Sequence, residues 1–184
     1  MVSHALNQHG MIQVERGRDG TASVAQALEI ALDAGLQESA GLAYVNLHER
    51  ASRLNMFGEA ERYYAEGMAY CEEHELSVYS VCMPGWRAIT FGLLGRWSEA
   101  ADISARMLDR QSMSPVNRLN PLRVLGGVRG RRGEAGAWHL LDEALALAEA
   151  GAEALWITAV RAVRAELRWI SGQSDLAVAE ARSG

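Results

Sequence analysis

Three side chains near the middle of the sequence could bind a metal ion. Cys71, His74 and Cys82 offer thiolate and imidazole groups, which are ligands that zinc prefers. Cys71 and His74 are three residues apart, so they share one face of a predicted helix. A fourth ligand is lacking, and the cluster falls at a predicted connection between helices. We therefore interpret these residues as structural and predict no metal site.

A second candidate is the stretch HERAS, in which His48 begins a pattern like that of zinc proteases. The protease motif requires a second histidine four residues later, and this chain has Ser52 at that position. Because the spacing fails, we assign the stretch to the surface of an ordinary helix.

A third candidate is the glycine-rich stretch from Gly126 to Gly133, whose arginines are Arg129, Arg131 and Arg132. Such a composition could cradle a phosphate, but we favour glycines at tight helix contacts beside an exposed arginine face. The sequence contains no nucleophile elbow and no dinucleotide fingerprint. We therefore predict no catalytic residue, no cofactor and no enzymatic activity.

The composition narrows the function classes further. All 18 basic residues are arginine, which excludes a P-loop lysine and a Schiff-base lysine. A net charge of −5 argues against a dedicated nucleic-acid binder, so we predict no direct nucleic-acid binding by this region. The chain has no signal-peptide pattern and no long apolar run. We expect a cytoplasmic protein with no membrane partner.

One short phrase recurs along the 184 residues and predicts the architecture. RLNMFGEA and LLGRWSEA both place an apolar run before Asn or Gly, which an aromatic residue, Glu and Ala then follow. The marker residues of the five copies are spaced 38, 40, 38 and 39 residues apart: Gly17, Asn55, Gly95, Gly133 and Gly172. Each lies between two helical patterns, where a helix end favours a residue that tolerates positive φ. We predict an all-α fold of about five helix pairs with elbows at these markers.

Other residues of the phrase have predicted roles in pairing the helices. Phe57 and Trp97 should fold into the crease between paired helices, and Ala60 should let them approach closely. Two prolines add expectations. Pro84 falls inside a helical pattern, so a helix either starts there or is kinked there, and we favour the kink. Pro121 suits the first turn of a helix.

The repeats resemble tetratricopeptide (TPR) units. The second unit matches that pattern at seven positions: Tyr44, Leu47, Ala51, Asn55, Phe57, Ala60 and Tyr64. His48 departs from it, because the pattern prefers glycine there. Nearly the whole chain resembles the TPR-like repeat region of LuxR-type ATP-dependent bacterial transcriptional regulators. This resemblance rests on the period of about 39 residues and on three phrases: GRWSEA, RRGEAGAWHLLDEALALAEA and RAELRWISG.

That resemblance implies one TPR-like domain over residues 1–184, a right-handed α-α superhelix. It also implies a non-catalytic interaction and sensing module of a transcriptional regulator or signalling ATPase, with a protein, peptide or small effector bound in a concave groove. A stand-alone protein–protein scaffold with no small effector is the alternative, and an enzyme or nucleic-acid binder on this fold is the least favoured. A homodimer through exposed ends of the solenoid is a further expectation.

In the related repeats the first helix of each pair lines the groove. The residues that this register places there are Asn7, Met11, Asn46, Glu49, Arg53, Trp86, Ile89, Arg123, Glu166 and Trp169. Asn46, Glu49 and Arg53 form a polar stripe on an otherwise apolar helix. For both tryptophans a place in the core is favoured over a ligand platform. The register of the last unit is open, because arginines occupy positions where core residues are expected.

Overall fold

A computed structural model describes residues 1–15, 18–152 and 154–184, and within these ranges the regular structure is entirely helical. In these ranges ten helices follow one another: α1 Val2–Glu15, α2 Thr21–Asp33, α3 Gln37–Arg53, α4 Phe57–Glu73, α5 Ser77–Leu93, α6 Trp97–Leu108, α7 Pro115–Arg131, α8 Ala137–Gly151, α9 Ala154–Ile170 and α10 Ser174–Arg182. The all-α prediction is confirmed.

The predicted elbows end helices with a left-handed residue. The φ angles are 58° at Asn55, 75° at Gly95, 68° at Gly133 and 74° at Gly172. At Asn55, the next N–H, that of Met56, donates to the Ala51 carbonyl at 2.9 Å. This is the long hydrogen bond of a Schellman turn, and it requires the positive φ. Four of the predicted markers therefore lie between two helices with positive φ, and the fifth, Gly17, lies outside the described residues.

The connections from α2 to α3 and from α4 to α5, between predicted pairs, use the same turn, which the sequence did not indicate. Gly35 has φ 63° and Glu75 has φ 55°, and the N–H of Leu76 donates to the Cys71 carbonyl at 2.8 Å. Positive-φ residues therefore stand at 35, 55, 75 and 95, twenty residues apart. Helices α3, α4 and α5 each have 17 residues, so each turn takes three.

The described residues divide into two compact units, Met1–Thr90 and Phe91–Gly184. In the first unit, α1 packs on α2 and α3, and α3 also packs on α4. Its buried core includes Val24, Leu28, Tyr44, Leu47 and Tyr63. Ala60 is fully buried, as a close approach of paired helices requires. A single domain over residues 1–184 stays a prediction.

In the second unit, α7 packs on α6, α8 and α9, and α9 packs on α10. Leu122, Ala144 and Val160 form its fully buried cluster. Arg161 and Arg164, at positions where the repeat pattern expects core residues, keep only 21% and 12% of their side chains exposed. Both pair with Glu180 of α10, at 3.2 and 2.7 Å. Ion pairs thus take the place of apolar contacts there.

Two local predictions are corrected. Trp97 is 38% exposed, so the crease between helices covers only part of the ring. Pro121 lies inside α7, which begins earlier, at Pro115. Ser114 is extended, with ψ 150°, as a residue before proline favours, and Pro115 takes the first helical position. Helix α5 is continuous through Pro84, so the helix does not start at this proline, and the favoured kink stays a prediction.

The left-handed turns allow a test with two nearby glycines. Gly95→Ala should lower the free energy of unfolding by about 1 kcal/mol, because a Cβ disfavours positive φ. Gly92→Ala should leave it unchanged or raise it by up to about 1 kcal/mol, since Gly92 is helical and nothing lies where its Cβ would be. Urea unfolding followed by circular dichroism measures both. Equal effects of the two substitutions would contradict the turn assignment.

Candidate functional site

Polar side chains join the first helices of neighbouring predicted pairs within the first unit. Asn46 Nδ2 on α3 donates to Asn7 Oδ1 on α1 at 2.7 Å. Thr90 Oγ1 on α5 donates to Ser52 Oγ on α3 at 2.8 Å. These partners are 39 and 38 residues apart, which is one repeat length. Corresponding positions of successive repeats therefore meet side by side.

Asn7 and Asn46 are both buried, with exposures of 1% and 8%. The hydrogen bond between the two side-chain amides gives a partner to polar groups that would be costly to bury without one. Their place between α1 and α3 gives them a structural role, and the Asn46 amide group is already engaged with Asn7.

Glu49, Arg53 and Trp86 form a second cluster, which we call the ion-pair site. The Arg53 Nε lies 3.1 Å from Glu49 Oε1, and the guanidinium carbon lies 5.2 Å from the centroid of the Trp86 ring. The side chains of Glu49 and Arg53 are 15% and 29% exposed, whereas Trp86 is buried. The cluster is a half-buried charged pair beside a core tryptophan, which agrees with the favoured assignment of Trp86 to the core.

Burial gives the ion-pair site unusual electrostatics. It raises the pKa of Glu49 above its usual value, and the positive charges of Arg53 and Arg50 act against this rise. Water screens a half-buried ion pair less than an exposed one, so a hydrogen bond to such a pair contributes more interaction energy.

The remaining predicted groove residues lie on four helices. Met11 of α1 and Ile89 of α5 are half-buried in the first unit. Arg123, Glu166 and Trp169 belong to the second unit. Glu166 accepts a hydrogen bond from Arg131 Nε at 2.7 Å, which joins α9 to α7. Trp169 is 66% exposed, so the favoured place of this tryptophan in the core is wrong. That all ten residues face one groove stays a prediction.

His48, which the sequence placed on a helix surface, is fully buried. Its Nδ1 donates to the Ala60 carbonyl at 2.8 Å, and its ring lies 5.4 Å from that of Tyr64. The imidazole thus occupies the position where the TPR pattern prefers glycine. The hydrogen bond to α4 satisfies Nδ1, whereas Nε2 is buried without a hydrogen-bond partner among the described residues. Burial lowers the pKa of His48, and the bond to Ala60 acts in the opposite direction.

The cysteine–histidine cluster has structural contacts. Cys71 is buried, and burial raises the pKa of its thiol. His74 Nδ1 accepts from Gln37 Nε2 at 3.1 Å, and the Cys82 thiol donates to the Val78 carbonyl at 3.3 Å. Within the described ranges, no group of three or more His, Cys, Asp or Glu side chains could hold a metal ion.

The glycine-rich stretch of α7 is a helix-packing surface, as the favoured interpretation had it. A Cβ on Gly126 would lie 2.9 Å from Leu141, and one on Gly130 would lie 2.2 Å from Leu167. The arginines of the stretch have partners of their own: Arg131 with Glu166, Arg132 with Ser98, and Arg129 with Glu134. Nothing in this arrangement favours a phosphate ligand.

In the part of the chain that the structure describes, no helix combines the length and apolar character needed to cross a membrane. No family model matches the sequence, and neither a curated protein nor a solved structure matches it.

The burial of His48 predicts a loss of stability in weak acid. The unfolded histidine binds a proton near its ordinary pKa of 6.5, whereas the folded one resists protonation. The contribution of His48 to the free energy of unfolding is therefore complete above pH 6.5, and it decreases as the pH falls from there toward the pKa of the folded state. The slope should reach up to about 1.4 kcal/mol per pH unit, measured by urea unfolding at several pH values.

His48→Gln is the matched control for this prediction, because glutamine has an N–H donor but does not titrate. The difference in slope between the two proteins isolates His48 from other groups. Glu49 acts with the opposite sign, since its raised pKa makes the folded state gain stability as the pH falls through that pKa. Identical pH profiles for the two proteins would show that the prediction is wrong.

Proposed function

We propose that this chain is a non-catalytic interaction and sensing module, and that the ion-pair site of the first unit binds its partner or effector. The resemblance of the repeats to those of LuxR-type regulators supports a role in a bacterial transcriptional regulator or signalling ATPase in the cytoplasm. Contacts between positions one repeat apart support stacked, TPR-like repeats within the first unit, since stacked repeats meet in this way, and the resemblance implies that they form a right-handed superhelix.

The observation that carries the proposal is the combination of groups in the ion-pair site. A carboxylate, a guanidinium and an indole lie side by side on two helices, and their mutual contacts restrict their conformations. A restricted site loses little conformational entropy on binding. Arginine is also a residue type enriched where binding energy concentrates, and the buried Trp86 restricts the conformation of Arg53.

The chemistry of the site favours a partner with an oxygen acceptor. A guanidinium has five N–H donors, and the contact of Arg53 with Glu49 goes through Nε. The terminal donors suit a carboxylate or a backbone carbonyl. A peptide segment offers both kinds of acceptor, so a protein or peptide is the favoured occupant. Its binding would then alter the packing between repeats and signal to an attached domain.

Removing the charges of the ion-pair site should weaken partner binding. In the double variant Glu49→Gln, Arg53→Met both charges disappear together, so no buried charge is left alone and the fold should persist. We expect at least about a tenfold loss of partner retention, or about 1.4 kcal/mol. The measurement is quantitative mass spectrometry of proteins retained from a bacterial extract by immobilised wild-type and variant chains.

The control is another i, i+4 ion pair of the same unit. Arg62 and Glu66 on α4 lie 3.3 Å apart and are about half exposed, so Arg62→Met with Glu66→Gln makes the same chemical change elsewhere. The control variant should retain partners as the wild type does. Equal retention by all three proteins, with helicity unchanged, would show that the ion-pair site is not the binding site.

A thermal-shift measurement separates a sensor from the scaffold alternative. A small effector at 100 times its Kd would stabilise the chain by about 2.7 kcal/mol, which is a rise of roughly 5 to 10 °C in Tm for a chain of this size. The low-molecular-weight fraction of bacterial cells should raise the Tm if the module is a sensor. Partner retention with no rise in Tm would favour a protein–protein scaffold.

A further inference from the structure

The second unit contains an apolar pocket of about 430 Å³ where three helices meet. The start of α7 contributes Pro115, Val116 and Leu119, the end of α8 contributes Leu147 and Ala148, and α9 contributes Trp156. Leu119 and Ala148 are buried, whereas Val116 is half exposed. The pocket therefore has a buried apolar floor and opens to solvent beside Val116.

The walls of the pocket belong to the packed core of the unit. Leu147 packs against the buried cluster of Leu122, Ala144 and Val160. One residue before Leu119, Arg118 Nη2 donates to Glu143 Oε1 of α8 at 2.6 Å, which ties α7 to α8 next to the pocket. The pocket walls are therefore packed on the core of the unit and tied by a hydrogen bond between α7 and α8.

We propose that this pocket binds a small, uncharged molecule with a flat apolar ring system. Its volume lies within the range of ligand pockets, which is about 300 to 1,000 Å³. The described lining residues are all uncharged, so a charged ligand would lose its hydration without gaining an ion pair. Trp156 offers an aromatic surface against which a ring can stack.

This site does not depend on the proposed function of the first unit. The pocket is apolar and lies on α7, α8 and α9, whereas the ion-pair site is charged and lies on α3 and α5. Partner retention through Glu49 and Arg53 could therefore fail while ligand binding in the second unit is observed, and the reverse holds as well.

The test uses a pair of fluorescent probes that differ in one charge. Phenylnaphthylamine is uncharged and becomes brightly fluorescent in apolar surroundings, and anilinonaphthalene sulfonate has the same rings and a negative charge. Titrated into the full chain, phenylnaphthylamine should bind one to one and saturate, with a Kd at least about tenfold lower than that of the sulfonate.

Two substitutions of exposed valines locate the probe. Val116→Trp should fill the mouth of the pocket and raise the Kd of phenylnaphthylamine at least about tenfold. Val178→Trp makes the same change on α10, where Val178 is 47% exposed and outside the pocket, and should leave the Kd unchanged. If Val116→Trp lowers the Tm, Ala150→Trp at the exposed end of α8 replaces it, because Ala150 also lines the pocket.

Three results would overturn the proposal. The first is no saturable binding of phenylnaphthylamine by the wild-type chain up to the solubility limit of the probe. The second is an equal Kd for the pocket variants and Val178→Trp, which would place the probe elsewhere. The third is equal or tighter binding of the sulfonate, which would show that the site does not select uncharged molecules.

Discussion

The fold depends on one backbone hydrogen bond that recurs at the ends of helices. A residue with positive φ lets the next N–H reach back to a carbonyl five residues earlier, as Met56 does to Ala51. This bond closes the helix and redirects the chain within three residues. Because the turns from Gly35 to Gly95 are evenly spaced, corresponding side chains of successive helices are brought to the same level. The contact of Thr90 with Ser52, which spans the turns at Asn55 and Glu75, follows from that spacing.

The same regularity explains how much of the fold the sequence could predict. Asn55 and Gly95 were predictable because their residue types tolerate a left-handed backbone. Glu75 was not, because its side chain gives no sign of that conformation and the surrounding helices impose it. The prediction that Pro121 lies in the first turn of a helix was wrong for a related reason. Either Pro115 or Pro121 could begin a helix, and α7 begins at Pro115.

The candidate site divides in the same way. The polar stripe of α3 predicted that Glu49 and Arg53 would be neighbours, since residues four apart on a helix meet. Single-helix periodicity could not reveal that Asn46 is buried, because its partner lies on another helix. His48 was misplaced for the same reason, since its burial depends on a carbonyl of α4. The spacing of residues along one helix determines which of them share a face, and the packing of helices determines whether that face is exposed to solvent.

The length of the helices has a consequence for the kind of segment that the first unit could recognise. A helix of 17 residues, such as α3 or α5, is about 25 Å long. An extended peptide advances about 3.3 Å per residue, so seven or eight residues match one helix from end to end. A segment lying along α3 would reach Glu49 and Arg53 only near one terminus of that helix. Most of its contacts would then be with the helix surface that precedes the charged pair, where shape rather than charge would discriminate among sequences.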